Sequence, residues 1–107
     1  MQYNKLVRDR IPEIIDMSGS KAIYRILEDA EYKEALEKKL DEEVAEYHKS
    51  KSIEELADIL EVLHALSYAY GSCPLDLQDK NSEKYIDRGG FNKRIMLIET
   101  IEKGGAE

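Results

Sequence analysis

The chain has 107 residues, of which 42% are hydrophobic and 36% charged. This length and balance predict one soluble, helix-rich domain spanning residues 1–107, and they exclude a disordered chain. The formal net charge of −7 argues against general nucleic-acid binding, because such binding needs a basic surface that displaces counterions.

Cys73 is the single cysteine, which excludes an intramolecular disulfide and favours a reducing compartment. The first residues have no apolar core of a signal peptide, and no stretch of about 18 apolar residues occurs. We therefore predict a cytoplasmic protein that does not bind membranes. A chain this short buries only about two thirds of its unfolded surface, so we expect a homodimer or homotetramer.

The first half of the chain predicts two helices and one strand. Pro12 suits a first helical turn and precedes a short helix over 13–17. The alternating, β-branched segment 22–27 predicts a strand. Asp29 is positioned to cap a long helix over 30–48.

The second half predicts two more helices and a β-prone tail. Ser52 and Glu55 have the spacing of a capping box, which begins a helix that reaches residue 70. Ser72 and Pro74 open a fourth helix that ends at Arg88, before two glycines. The tail 94–100 is expected to pair with segment 22–27. The fold class is thus mainly α, an antiparallel bundle of about four helices with a small two-stranded β accessory.

Acidic residues fall on the apolar faces of the second and third helices at about 100° per residue. On the second helix Glu43 lies near the middle of the apolar stripe, Glu46 at its edge and Glu42 on its flank. On the third helix Glu55 lies within the apolar arc and Asp58 at its edge. The pairs are spaced i,i+3 or i,i+4, so each pair projects from one side of its helix.

Carboxylates on a core-facing stripe need counter-charges, because a desolvated anion is costly. Lys39 is the one evident basic partner on the same stripe, whereas Glu54 and Glu61 point outward as surface charge. The short turn 49–52 brings the acid pairs to the same end of a helical hairpin. A hard divalent cation satisfies such a cluster, since Mg²⁺ takes oxygen ligands, and Mn²⁺ is a possible substitute. The alternative is a solvated acidic face, with Glu55 serving only as a capping residue.

The acid pattern resembles a known signature. Glu42-Glu43-x-x-Glu46 followed by Glu55-x-x-Asp58 is similar to the E-E-x-x-E…E-x-x-D signature of MazG-like and phosphoribosyl-ATP pyrophosphohydrolase-like proteins, the all-α NTP pyrophosphatase superfamily. The opening NKLVRDRIPEII and the closing RGGFNKRI also look like its small MazG-like subgroup. The spacing between the two acid pairs is shorter than in many members.

The resemblance implies a Mg²⁺-dependent hydrolase that converts a nucleoside triphosphate and water to a nucleoside monophosphate and pyrophosphate. We expect the five acids to hold the metal, and Glu43 and Glu46 are the candidate catalytic residues. Glu43 is either a metal ligand or the carboxylate that orients the attacking water. Two other functions remain open. One is phosphoribosyl-ATP hydrolysis, and the other is a non-catalytic, metal-binding helical interaction module.

A basic and polar set is expected to hold the substrate phosphates. Asn81, Lys84 and Arg88 share one face of the fourth helix, in a region similar to the phosphate-binding region of these enzymes. Lys5, Arg8 and Arg10 could add contacts from the N-terminal arm, residues 5–10. The alternatives are surface pairing of the helical residues with neighbouring acids and solvated or interface charge in the arm.

Overall fold

Four helices make up the regular structure of residues 3–104. The computed structural model describes residues 3–104, with α1 at Ile11–Met17, α2 at Asp29–Ser50, α3 at Ile53–Ala69 and α4 at Pro74–Arg88. The mainly α class is confirmed, and each predicted helix is present. Pro12 lies in the first turn of α1, where the missing amide proton has no intrahelical partner to lose.

The ends of α2 differ from the prediction. Glu28, and not Asp29, is the N-cap, and it forms a reciprocal capping box with Glu31. The helix also continues through the polar residues to Ser50 and stops at Lys51, which is in the left-handed conformation at φ 56°. Lysine and serine are tolerated in a last helical turn, so their polarity alone did not end the helix.

The start of α3 agrees with the prediction in part. The Ser52 hydroxyl accepts the Glu55 amide proton at 3.4 Å, as a capping residue should. The Ser52 amide donates instead to Ser50 Oγ at 3.3 Å. The Glu55 carboxylate is therefore not engaged in a reciprocal box and can face other side chains.

The predicted β accessory is wrong for residues 3–104, which contain no strand. Segments 22–27 and 94–100 lack regular structure. Arg25 is bound to Glu31 at 2.9 Å, which ties the first segment to the start of α2, whereas the second follows α4. An isolated two-stranded ribbon is marginal in water, so the β propensity of these segments does not suffice to pair them.

The helices do not close into a compact bundle within one chain. α2 packs along α3 and α4 contacts α3, while among the described residues α1 contacts no other helix. Leu36 and Val62 are the two buried residues of that range, at 2% and 7% exposure. The radius of gyration is 20.0 Å, against about 13 Å for a compact domain of this length. None of the helices within residues 3–104 has the length and apolarity needed to cross a bilayer.

Candidate metal centre

Three carboxylates converge where α2 and α3 face each other near the hairpin turn. Each of Glu43, Glu55 and Asp58 offers one oxygen, and these oxygens lie within 4.8 Å of one another. Glu43 comes from α2, and the other two lie one turn apart on α3, where i,i+3 spacing puts them on one side. The two-residue connection between the helices fixes their register and brings the three acids together.

Lys39 partly neutralises the α2 side of this acidic cluster (Glu43, Glu55 and Asp58). Its Nζ lies 3.6 Å from Glu43 Oε1 and 3.6 Å from Glu42 Oε1. The side chains of Lys39 and Glu43 are only 18% and 13% exposed, so their attraction is screened less than that of a surface pair. Lys39 is the residue that the helical wheel singled out as a counter-charge.

Glu55 is the acid whose ionisation the cluster opposes most clearly. Desolvation raises the pKa of its carboxyl, and the negative charges of Asp58, Glu43 and Glu46 raise it further, as does a hydrogen bond with Asp58. Each of these causes favours the neutral acid. The cluster is therefore short of positive charge, a condition that a bound cation would relieve.

Arg8 supplies a second positive charge from the N-terminal arm. Its Nη2 donates to Asp58 Oδ1 at 2.8 Å, across 50 residues of sequence. Both side chains are partly open to solvent, at 55% and 40% exposure. The sequence did not predict this ion pair, because its only signal is a basic residue in the N-terminal arm. Helical spacing cannot relate two residues that lie so far apart in the sequence.

The other acids lie outside the group of three. Glu42 is exposed and pairs with Lys39, and Glu46 is exposed but close enough for its charge to act on Glu55. Glu54 and Glu61 are exposed, as the wheel predicted. The role of Glu42 and Glu46 as metal ligands therefore stays a prediction.

Arg8 contacts the acidic cluster, whereas the other residues predicted to hold phosphate do not join it within one chain. Asn81, Lys84 and Arg88 are exposed on α4, which contacts α3 but not α2. Arg88 lines a shallow pocket together with Phe91, Lys93 and Arg94. Lys5 is exposed, and its Nζ lies 5.8 Å from the centre of the Tyr3 ring.

The raised pKa of Glu55 predicts a pH dependence of stability without divalent cations. The folded chain binds the Glu55 proton more tightly than the unfolded chain does. The protonated carboxyl therefore contributes its full stabilisation below the ordinary glutamate pKa. This contribution is lost as pH rises through the higher pKa of the folded state. Glu55→Gln cannot lose a proton. We expect its urea midpoint to exceed that of the wild type at pH 7 and the difference to shrink toward pH 4.

The matched control is Glu54→Gln, which removes the same charge from an exposed position beside it. Its midpoint should follow the wild type across the same pH range. A Glu55→Gln protein that is less stable than the wild type at pH 7 would contradict the assigned electrostatics.

In the part of the chain that the structure describes, the regular structure is helical and a carboxylate cluster lies across one hairpin. These two features define the class of protein. A curated protein of Mycolicibacterium smegmatis (strain ATCC 700084 / mc(2)155), described as an uncharacterized protein, is 62% identical over 42 residues. The match covers 39% of this chain and 43% of that relative, so it spans less than half of either. No protein-family model matches the sequence, and no solved structure matches the chain.

Proposed function

We propose that this protein is a Mg²⁺-dependent nucleoside-triphosphate pyrophosphohydrolase of the MazG-like type. The convergence of Glu43, Glu55 and Asp58 carries the proposal. Three carboxylate oxygens from two helices form the hard, anionic donor set that Mg²⁺ prefers, with room for water and substrate oxygens. The proposal also draws on the likeness of the acid motif and of both terminal segments to that superfamily.

The donor set suits Mg²⁺ in number and in chemistry. Two oxygens bound to one Mg²⁺ at about 2.1 Å can be at most about 4.2 Å apart, so three oxygens within 4.8 Å of one another would have to meet that limit to share one ion. Glu42 and Glu46 extend the same surface and could hold a second ion. When bound, Mg²⁺ neutralises charge on the phosphate oxygens and lowers the pKa of a coordinated water.

The side chains of this chain would perform the remaining steps. Among the acids that form an ion pair within residues 3–104, Glu43 has the least exposed side chain, and Glu46 lies one turn further along α2. One of these carboxylates orients the attacking water and accepts its proton. Attack at the α–β phosphate region would release a nucleoside monophosphate and pyrophosphate, a bond choice that follows from the resemblance. The proposed phosphate-binding residues are Asn81, Lys84, Arg88, Lys5 and Arg8.

The decisive experiment is a substrate screen of the purified chain with detection of pyrophosphate. Canonical and damaged nucleoside triphosphates and phosphoribosyl-ATP are incubated with Mg²⁺, with Mn²⁺ or with a chelator. We expect pyrophosphate from at least one nucleoside triphosphate with either metal and none with the chelator. Release from phosphoribosyl-ATP alone would assign the chain to that reaction, and no release from any substrate would refute the proposal.

The extended shape supports a homo-oligomer. The chain exposes 9981 Å², whereas a compact monomer of its 12.3 kDa mass exposes about 6,100 Å². A standard interface removes about 800 Å² from each partner, and obligate dimers remove more. The surplus is therefore large enough for an obligate interface. The exposed apolar residues of α4 and the tail would form it, among them Leu75, Ile86, Ile95, Leu97 and Ile98.

Sedimentation over a range of protein concentrations tests this assembly. We expect a dimer or tetramer at micromolar concentration. Ile86→Glu should lower the assembly state, because it would place a charge in an apolar interface. The matched control is Gln78→Glu, which adds the same single negative charge at an exposed polar position of the same helix. A wild-type chain that sediments as a folded monomer at every concentration would contradict the prediction.

The same exposed apolar surface favours a second candidate, a non-catalytic helical interaction module. Thermal melting separates the two functions, because a ligand that binds only the folded state raises the melting temperature. Stabilisation that requires Mg²⁺ and a nucleotide together favours the enzyme, whereas stabilisation by neither favours the interaction module.

A further inference from the structure

We propose that Arg8 is an internal counter-cation of the acidic cluster, which leaves Asp58 when a divalent cation binds. The inference rests on the proposed metal site and assigns the N-terminal arm a state-dependent role there. Its basis is the 2.8 Å contact from Arg8 Nη2 to Asp58 Oδ1. The contact places a cationic side chain on one of the three carboxylates that face one another.

The charge balance explains why Arg8 lies there without metal. Glu43 shares Lys39 with Glu42, and the positive partner of Asp58 is Arg8. One carboxylate oxygen from each of Glu43, Glu55 and Asp58 lies within 4.8 Å of the other two. A guanidinium on Asp58 thus relieves part of the repulsion that the folded hairpin would otherwise retain.

A divalent cation would compete with Arg8 for the same carboxylate. Like charges a few ångströms apart repel, and a bound guanidinium therefore weakens cation binding. The pair is also accessible enough to exchange, because both of its side chains are substantially exposed to solvent. Arg8 precedes α1, which contacts no other helix among the described residues, so release of its side chain does not require a helix–helix contact to break.

Displacement would give Arg8 its second role. The freed guanidinium can then bind a phosphate oxygen, for which its planar donors are suited. The arm therefore neutralises the acids when the site is empty and is available to the substrate when the site is filled.

The first test measures Mn²⁺ affinity by electron paramagnetic resonance for the wild type, Arg8→Ala and Arg10→Ala. Arg8→Ala should bind Mn²⁺ roughly tenfold more tightly, because a competing charge is removed. Arg10→Ala is the matched control. Arg10 pairs with Glu13, and the substitution removes the same charge away from the cluster. Its affinity should change less than about twofold.

The direction of the change decides between two roles of Arg8. Weaker binding by Arg8→Ala would mean that Arg8 orients Asp58 for the metal, and equal binding would mean that the pair is a bystander; either result overturns the proposal. If the wild type binds no Mn²⁺, the proposed function fails together with this inference. If the wild type binds Mn²⁺ and Arg8→Ala does not bind it more tightly, only this inference fails.

A second measurement follows Arg8 itself. The side-chain Nε–H resonance of Arg8, assigned by its loss in Arg8→Lys, is recorded during a Mg²⁺ titration by nuclear magnetic resonance. We expect it to move toward its position in metal-free Asp58→Asn, in which the ion pair is absent. A resonance that does not move at saturating Mg²⁺ would show that Arg8 stays on Asp58.

Discussion

Glu43→Gln is expected to lower kcat/KM for pyrophosphate release by about 10²- to 10⁴-fold, the range lost with a general base or an essential metal-binding carboxylate. Glutamine keeps the size and polarity of the side chain but removes the negative charge and the basic oxygen. The side chain is only 13% exposed and faces Lys39. Initial rates with the best substrate of the screen, at several Mg²⁺ concentrations, measure the effect.

Glu54→Gln provides the control for this experiment. It removes one charge at the same end of the hairpin, from an exposed residue, and its activity should stay within about twofold of the wild type, as for most surface substitutions. If Glu43→Gln and the wild type release pyrophosphate equally fast, the acidic cluster is not the catalytic site. Recovery of the Glu43→Gln rate at high Mg²⁺ would assign Glu43 to metal binding and not to proton transfer.

Helical periodicity accounts for most of what the sequence could predict here. The wheel separates Glu43 and Glu55, which are partly buried, from Glu54 and Glu61, which are exposed. It also identifies Lys39 as the positive partner of Glu43. These relations depend on spacings of three and four residues within a helix, or on one short turn, and such local geometry is nearly fixed by the sequence.

Relations across longer distances could not be read in the same way. The contact between Arg8 and Asp58 depends on how the arm is folded back, which no periodic pattern encodes. The β accessory failed for a related reason, since segments 22–27 and 94–100 have suitable residues but pairing also requires that the helices place them side by side. At the start of α2, Glu28 and Asp29 are both possible caps, and the salt bridge between Arg25 and Glu31 supports the box formed by Glu28.

Leu36→Ala is expected to lower the free energy of unfolding by about 2–5 kcal/mol, the range for removal of a buried leucine side chain. Leu36 is 2% exposed and lies on α2, which packs along α3. With only Leu36 and Val62 buried in the described part of the chain, this loss is a large share of a typical total of about 5–15 kcal/mol. Urea unfolding followed by circular dichroism measures it.

The measurement should be made at several protein concentrations, because assembly adds to the stability of the folded state. Glu34→Ala is the control, as it truncates an exposed side chain on the same helix, and it should change the free energy by less than about 0.5 kcal/mol. A cost below about 1 kcal/mol for Leu36→Ala would show that the contact between α2 and α3 does not hold the hairpin together.

The link between α2 and α3 consists of Lys51 and Ser52 alone, with Lys51 in the left-handed conformation and Ser52 capping the next helix. A link of two residues leaves little freedom for the two helices to change their relative register. One inserted residue would turn α3 by about 100° about its axis and carry Glu55 and Asp58 away from Glu43, although every acid would still be present. Two chains with the same acids but links of different length could therefore differ in whether they hold a cation at all. In comparisons between such hairpins, the number of residues in the gap is as informative as the identity of the carboxylates.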